Sequence, residues 1–439
     1  MAQRMIFTNA TLYDGENDRQ EGMSILVEGD RIVAVGRDIP AGADDRQIDL
    51  GGKCVMPGMT AGHWHGDYGG LRLAEVGKAY LGTQSPPAYL AAVAIENLGY
   101  ALGSGITNAV GAGCSFDVDA ALKMAMNDGR ISGPRLRAGG LHINTTASEN
   151  EPTSWWLPAP EREDGLQVVG AELFADGVDG MRKAIRHQLR RGVEVIKTFP
   201  SGGHGIDVDP TLRAFTREEL ATIVNTAHDR GAVVRGHAIT KKSILESIEL
   251  GMDIIDHGDE IDEEVIEAMV KAGTFYVPSM LFLRKLMPTG VMELARAAQL
   301  APVKRSFEHM CKVMPLVAKA GVKVVPGDDF GLEFMMHGLG NYAEELEIYV
   351  DDCGIAAKEV LTWATRNGGL MMGRSDLGMV RAGYVADLVV VNGDPGKDIS
   401  LLRNTDNLEM IVKDGKVHKD TLTAPARGQS VSARELAPA

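Results

Sequence analysis

The chain has 439 residues and a net charge of −15, from 60 acidic and 45 basic residues. This length allows a large buried core, and the acidic balance argues against a nucleic-acid partner, because such proteins neutralise phosphates with basic residues. The four cysteines are far apart, which excludes a cysteine zinc site and a dense disulfide framework. No apolar run is long enough to span a membrane and no signal-peptide pattern opens the chain, so we expect a cytoplasmic protein.

Both ends of the chain show short β patterns. Residues 1–57 contain MIFTNATLYDG, MSILVEGDRIVAVG and QIDLGGKCVMPG, and residues 384–419 contain YVADLVVVNGDP and LEMIVKDGKVH. Short strands that alternate with Gly and Asp turns predict a small β-sandwich. We assign residues 1–57 and 373–420 to one discontinuous β-sandwich domain, and residues 421–439, rich in Ala, Ser, Pro and Thr, to a C-terminal tail.

The segment between these ends, residues 58–372, repeats one local pattern. A helical stretch ends in Gly, a short apolar strand follows, and a polar residue such as Lys197, His237, His257 or Asp329 comes next. Gly suits the position after a helix, and near-continuous apolar runs are typical of parallel strands buried on both faces. The repeat predicts a parallel α/β fold, and functional residues after many strands favour a TIM-like (β/α)8 barrel over a doubly wound sheet.

Residues of the metal-ligand type lie at or near the ends of these strands: His63, His65, Lys197, His237, His257 and Asp329. The carboxyl ends of barrel strands meet at one rim, so side chains placed there face each other. His63 and His65 are two positions apart, which puts both imidazoles on one side of an extended strand, where they can meet one ion. The sequence therefore predicts a metal site at this rim.

Taken singly, these residues have ordinary structural explanations. An HxH pair alone is a weak signal, and Lys197 alone can bury its stem while its amine reaches solvent. Single histidines are more often structural than ligands, and Asp329 alone can cap a turn, with Asp328 beside it leaving the choice of ligand open. The delivery of ligand-type residues by five separate strands favours the metal site over these alternatives.

In their order along the chain, the motifs resemble those of the amidohydrolase superfamily, in the group that contains imidazolonepropionase and the metal-dependent Xaa-Pro and Xaa-Arg dipeptidases. The matching stretches are MPGMTAGHWH, FADGVDGMRKAI, VEVIKTFPSGG, VRGHAIT, GMDIIDHGDEIDEE, FYVPS, AGVKVVPGDDFG and ATRNGGLMMGRSDLGMVRAGYVADLVVVNGDP. The resemblance covers essentially the whole chain. It implies a (β/α)8 barrel with a β-sandwich, and two divalent metal ions, usually zinc.

The resemblance also implies two sets of ligands: His63, His65 and Asp329 for the more buried ion, and His237 and His257 for the other. Lys197 matches the lysine that carries a carbamate bridging both ions. The family's aspartate follows Gly-Thr, which favours Asp329 over Asp328. In the chemistry implied, a metal-bridging hydroxide is the nucleophile, one metal polarises the carbonyl, and Asp329 returns a proton to the leaving nitrogen.

Two departures from the dipeptidase pattern concern the substrate. The histidine of a Gly-Gly-His element falls near Ser148, and His142 is our candidate catalytic replacement; Ile239 stands where those relatives have a tyrosine. Large apolar residues within 144–165 and after Asp329 predict an apolar pocket, with packing against the barrel or a neighbouring subunit as the alternative. We assign six residues to substrate binding: Trp155, Trp156, His204, Ser279, Phe334 and Met335.

The expected function is hydrolysis of an amide C–N bond in a small molecule at a binuclear metal centre. A peptide-like or N-acyl amino acid substrate is the first choice, and a non-peptide aryl amide, carbamate or urea is the alternative. A deaminase is disfavoured because the mononuclear deaminases of the superfamily lack the bridging lysine. A metal-free structural or binding barrel is disfavoured because all six ligand positions are intact. We expect a homo-oligomer with no nucleic-acid or membrane partner.

Overall fold

The computed structural model describes residues 4–67, 85–148, 151, 166–204, 209–287, 290–329 and 341–422. Within this part of the chain, no helix combines the length and the apolar character that crossing a membrane requires. The described residues form nineteen strands: β1 Arg4–Leu12, β2 Gln20–Glu28, β3 Arg31–Gly36, β4 Arg46–Asp49, β5 Cys54–Pro57, β6 Met59–Trp64, β7 Ile106–Gly111, β8 Arg135–Arg137, β9 His142–Asn144, β10 Gln167–Val169, β11 Glu172–Phe174, β12 Val195–Thr198, β13 Val233–Ala238, β14 Ile254–His257, β15 Phe275–Val277, β16 Lys323–Val324, β17 Leu388–Val391, β18 Leu408–Lys413 and β19 Lys416–Asp420.

The same part of the chain forms eleven α-helices: α1 Pro87–Gly103, α2 Val118–Asn127, α3 Gly177–Arg190, α4 Arg217–His228, α5 Lys241–Glu249, α6 Glu263–Ala272, α7 Met280–Leu286, α8 Gly290–Ala320, α9 Asn341–Glu347, α10 Ala357–Thr362 and α11 Gly368–Met371. The short signals that the sequence contains at helix ends are present. The capping box of α4 is formed, because Thr216 accepts from the backbone of Glu219 at 3.2 Å and its own backbone donates to the Glu219 carboxylate at 2.8 Å. Gly273 ends α6 with a φ of 73°, a conformation that a Cβ would penalise.

Strands from both ends of the chain share one sheet. Its order is β19-β18-β17-β5-β1-β2-β3, with β4 beside β1, and the two chain ends meet where β5 pairs antiparallel with β17. A separate apolar core, which includes Phe7, Ile25, Val55 and Val390, packs within this unit. The strands that the sequence pattern assigns to a small sandwich thus pair in a single eight-stranded sheet. The sandwich and its domain boundaries remain predictions.

The middle of the chain alternates helices with parallel strands, which confirms the α/β class. One sheet has the order β6-β7-β8, and the other has the order β10-β11-β9-β12-β13-β14-β15-β16, in which all neighbours except β10 and β11 are parallel. Backbone hydrogen bonds also connect the two sheets, from Gly62 on β6 to Pro326 at 2.8 Å and from Val195 on β12 to Ala138 at 3.0 Å. Regular strand pairing among the described residues does not show a closed barrel, so closure stays a prediction.

The register of the parallel strands places charged residues inside the second sheet. Lys197 on β12 is opposite Arg235 on β13, and His237 on β13 is opposite Asp256 on β14. Residues in register share a face of the sheet, and residues two apart on one strand share it as well. Lys197, Arg235, His237 and Asp256 therefore belong to one face, and all four are buried.

Candidate metal centre

Three of the predicted ligands meet at the end of β6. The Nε2 atom of His63 lies 3.2 Å from Oδ1 of Asp329, and Nε2 of His65 lies 3.0 Å from the same oxygen. His63 is on β6 and His65 follows its last residue, so the HxH spacing directs both rings to one side, as expected for an extended segment. The structure thus brings these three side chains into direct contact.

The other ring nitrogens of these two histidines are already bonded. Nδ1 of His63 lies 2.9 Å from the Ser279 hydroxyl, and Nδ1 of His65 lies 2.9 Å from the carbonyl oxygen of Gly113. Burial lowers the pKa of both rings, which keeps them neutral near pH 7. A neutral His65 that donates from Nδ1 to a carbonyl presents a lone pair at Nε2, and that lone pair faces a carboxylate oxygen. Such an arrangement of facing lone pairs suits a cation.

His237 and His257 form a second contact, although strand alternation alone would separate them. Asp256, the register partner of His237, shares its face, so the next residue along β14 should point away. The backbone of His257 instead adopts a φ of 66°, and its ring centroid lies 4.5 Å from that of His237. A left-handed conformation is uncommon for a residue with a Cβ and costs about 1–3 kcal/mol, which marks this strand end as a candidate functional position.

Lys197 is buried in the same region and bonded to Asp256. Its Nζ donates to Oδ2 of Asp256 at 2.6 Å, and Nε of Arg235 donates to the same oxygen at 3.0 Å. Arg235 also donates to the carbonyls of Gly62 and Gly111 at 2.9 and 3.1 Å, so it links β13 to the β6-β7-β8 sheet. Burial lowers the pKa of Lys197, although Asp256 opposes this shift. Arg235 and Lys197 hold the pKa of Asp256 below its usual range, against the effect of burial.

The donor set fits divalent metal ions. Two groups of side chains in the described part of the chain offer ligand atoms that all lie within 4.8 Å of one another, His204 with His237 and His257, and His63 with His257 and Asp329. Nε2 of His237 and Nδ1 of His257 are buried, and neither has a hydrogen-bond partner among the described residues. Neutral imidazoles with one carboxylate are the ligands that zinc and related ions prefer. The residues present therefore fit the metal that the sequence predicts.

His142 is close to this region, but its nitrogens are used. Nδ1 lies 2.5 Å from a carboxylate oxygen of the buried Glu172, and Nε2 lies 3.1 Å from the carbonyl oxygen of Ala112. Its ring centroid is 5.7 Å from that of His65. His142 thus contacts the backbone of Ala112, and the next residue, Gly113, accepts the hydrogen bond from His65.

The residues predicted to bind substrate fall into two groups. His204 and Ser279 are buried at the centre, with His204 bonded to Asp259 through Nδ1 at 3.0 Å and Ser279 bonded to His63. The positions of Trp155, Trp156, Phe334 and Met335 lie outside the described residues.

Several residues of this region are absent from the sequence-based prediction. Phe199 stacks on His237 with ring centroids 5.3 Å apart, and Phe282 lies 5.1 Å from His204 by the same measure. Arg235 lies two positions before His237, so strand alternation alone could have placed it on the same face. Asp256 and Asp259 flank His257, but no spacing rule distinguishes them from solvent-exposed carboxylates.

Comparisons with known proteins show the family of the chain. The sequence model of the amidohydrolase family matches residues 54–418. Ochratoxinase from Aspergillus niger is 30% identical over 307 residues, which cover 67% of this chain but only 62% of that protein. Imidazolonepropionase from Cutibacterium acnes is 26% identical over 388 residues, which cover 83% of each chain.

Solved structures extend the similarity to nearly the whole chain. The crystal structure of A. niger ochratoxinase superposes with a TM-score of 0.82 at 26% identity, and covers 95% of this chain and 96% of that one. A Xaa-Pro dipeptidase with methionine bound in its active site gives the same TM-score and identity, and covers 95% of this chain and 100% of its own. With a family model that matches most of the sequence and a fold that matches along its length, the chain belongs to the amidohydrolase family.

Proposed function

We propose that the protein is a metal-dependent hydrolase of an amide C–N bond in a small molecule, with two divalent ions, zinc as first choice, and a carbamate on Lys197. The observation that carries this proposal is the contact of Asp329 with Nε2 of both His63 and His65, next to the imidazoles of His237 and His257. Nitrogen and carboxylate donors of this kind are rarely buried together for structural reasons, because an unpaired buried charge is costly.

When bound, the ions would supply hydroxide near neutral pH by lowering the pKa of water, and would polarise the substrate carbonyl. Asp329 accepts the proton of the attacking water at its carboxylate and returns it to the amide nitrogen as the C–N bond breaks. The Gly113 carbonyl, which can only accept, holds His65 in the tautomer that leaves Nε2 for a ligand role, and the Ser279 hydroxyl orients the ring of His63 through Nδ1.

Lys197 would carry the carbamate. Burial lowers the pKa of its amine and so raises the neutral fraction, which adds CO2 and loses one proton to form the anionic group. The charge of Asp256 next to this position is offset by the buried Arg235, whose guanidinium holds two sides of the carboxylate.

His142 would act as a positioning residue and not as a group that touches substrate. Its ring nitrogens contact Glu172 and Ala112, and Ala112 precedes the Gly113 carbonyl that orients His65. A Cβ on Gly113 would lie 1.7 Å from Nε2 of His142, so these two residues pack at their closest limit. The catalytic role predicted for His142, as the replacement for the Gly-Gly-His histidine, then falls to another group.

The aromatic rings next to the histidines support a substrate with an apolar group. Phe199 packs on His237 and Phe282 packs on His204, which places apolar faces beside the proposed ions. Among the similar proteins are a Xaa-Pro dipeptidase and an ochratoxinase. A peptide-like or N-acyl amino acid with an apolar side chain fits both considerations.

A substrate panel tests the proposal. Zinc-loaded protein is assayed on N-acyl amino acids, Xaa-Pro and other dipeptides, aryl amides, carbamates and ureas, each with Asp329→Asn as the matched inactive control. We expect the fastest turnover on amides of apolar amino acids and no turnover by the variant. Equal turnover by Asp329→Asn would refute the assignment, and turnover confined to carbamates or ureas would replace the proposed substrate class.

A further inference from the structure

His204 lies on the segment after β12, outside the six ligand positions that the sequence predicts. Its ring centroid is 4.7 Å from that of His257 and 5.3 Å from that of His237, both in edge-to-face orientation. All three side chains are buried, and each offers a ligand atom within 4.8 Å of the others. We propose that His204 is a third imidazole ligand of the ion held by His237 and His257. This inference rests on the metal centre of the proposed function and changes its ligand set.

The partner of His204 supports a ligand role. Nδ1 of His204 lies 3.0 Å from Oδ2 of Asp259, and both side chains are buried. A carboxylate that accepts from Nδ1–H selects the tautomer in which Nε2 carries the lone pair, and this pairing is the usual support of a metal-bound histidine. Nε2 of His204 is therefore the nitrogen that would bind the ion.

The backbone fixes Asp259 relative to His257. Gly258 has a φ of 67° and donates to the carbonyl of Ala238 at 3.1 Å, while Ile261 donates back to the carbonyl of Gly258 at 2.9 Å. This turn presents His257 and Asp259 to the same volume from one short segment. The strand end that supplies one imidazole ligand therefore also supplies the carboxylate that orients another.

A three-imidazole site has a chemical consequence. Zinc sites with three protein ligands keep a fourth position open, which is the arrangement of catalytic zinc. Such a site does not need the carbamate on Lys197 to hold its ion. We therefore expect Lys197→Ala to keep one ion per chain, bound by His204, His237 and His257. The double variant Lys197→Ala/His204→Ala should bind no ion firmly.

Zinc binding tests the inference without reference to activity. Zn²⁺ content and affinity are measured by competition with a chromophoric chelator for the wild type, His204→Ala, Asp259→Asn and His228→Ala. His228 is the matched control, because its Nε2 lies 2.8 Å from Asp253 in the same kind of pair at the end of α4, where the histidine side chain is 40% exposed. We expect His204→Ala to weaken one ion by at least about 100-fold and Asp259→Asn to weaken it by about 10–100-fold. His228→Ala should bind as the wild type does.

Cobalt substitution reports on the ligands themselves. The visible absorption of Co²⁺ at this site should change in His204→Ala and remain in His228→Ala, because removal of a nitrogen donor alters the coordination. If His204→Ala does not fold, the zinc affinity and the cobalt spectrum of Asp259→Asn test the ligand role, because this variant keeps the imidazole and the size of the carboxylate. Wild-type affinity and an unchanged cobalt spectrum in these variants would overturn the inference.

The outcomes separate this inference from the proposed function. Two firmly bound ions in both the wild type and His204→Ala, with a loss of kcat only in the variant, would overturn the ligand role and leave the hydrolase proposal standing. Loss of one ion in His204→Ala supports the inference even if no amide is hydrolysed. A wild-type protein that binds no zinc would overturn both.

Discussion

Arg235 is fully buried, and its replacement should have a large effect on stability. Its guanidinium donates to Asp256 through Nε at 3.0 Å and through Nη2, and to the carbonyls of Gly62 and Gly111 at 2.9 and 3.1 Å. Arg235→Met keeps most of the side-chain volume but removes every donor. Loss of one partner from a buried ion pair costs about 3–5 kcal/mol. Because Lys197 remains beside Asp256, we expect the lower end of this range.

Denaturant unfolding of metal-free protein near neutral pH measures the effect. The matched control is Arg217→Met, since Arg217 pairs with Glu249 at 2.6 Å but with side chains 47% and 66% exposed. Exposed pairs of this kind contribute about 0–1 kcal/mol. A loss of less than about 1 kcal/mol in Arg235→Met, or an equal loss in both variants, would refute the view that Arg235 neutralises a buried carboxylate.

Three further predictions concern the site. Asp329→Asn should abolish kcat in an amide hydrolysis assay, because Asp329 contacts both His63 and His65. Asp328→Asn should retain most of kcat, because the described contacts include none between the Asp328 carboxylate and these rings. The reverse order would show that the wrong carboxylate is assigned. Lys197→Ala should lose nearly all activity and hold fewer than two ions per chain, with partial recovery when small carboxylates are added to the assay. Finally, burial keeps the pKa of His257 well below its ordinary 6.5, so the unfolded chain gains a proton that the folded chain does not as pH falls below 6.5. Below pH 6.5, the free energy of unfolding of the metal-free wild type should therefore fall by up to about 1.4 kcal/mol per pH unit more than that of His257→Gln. Denaturant unfolding at several pH values measures this difference, and parallel pH profiles of the two proteins would contradict it.

The features that the sequence predicts and the structure contains are those marked by a local pattern. The helix that ends at Gly273 and the apolar strands that carry His237 and His257 follow from the repeat of helix, Gly and apolar strand. The HxH spacing placed His63 beside its partner because alternation along an extended segment is a local property.

The remaining features depend on tertiary contacts that a single sequence does not encode in short patterns. The left-handed backbone at His257 brings its ring to His237, from which alternation would separate it, and no residue of β14 signals that conformation. The Arg235 and Asp256 pair lies inside the sheet, where charge normally indicates exposure. The patterns predicted strands but not their partners, so the pairing of the two chain ends in one sheet could not be derived from them.

The metal content of active protein decides whether the chain is a two-metal hydrolase. Metal-free protein is titrated with Zn²⁺ while bound ions per chain and amide hydrolysis are followed together. We expect activity to appear as binding approaches about two ions per chain and to disappear when a chelator removes them, as the two-metal arrangement requires. Full activity with no bound ion, or full activity at one ion with no gain on further addition, would contradict it.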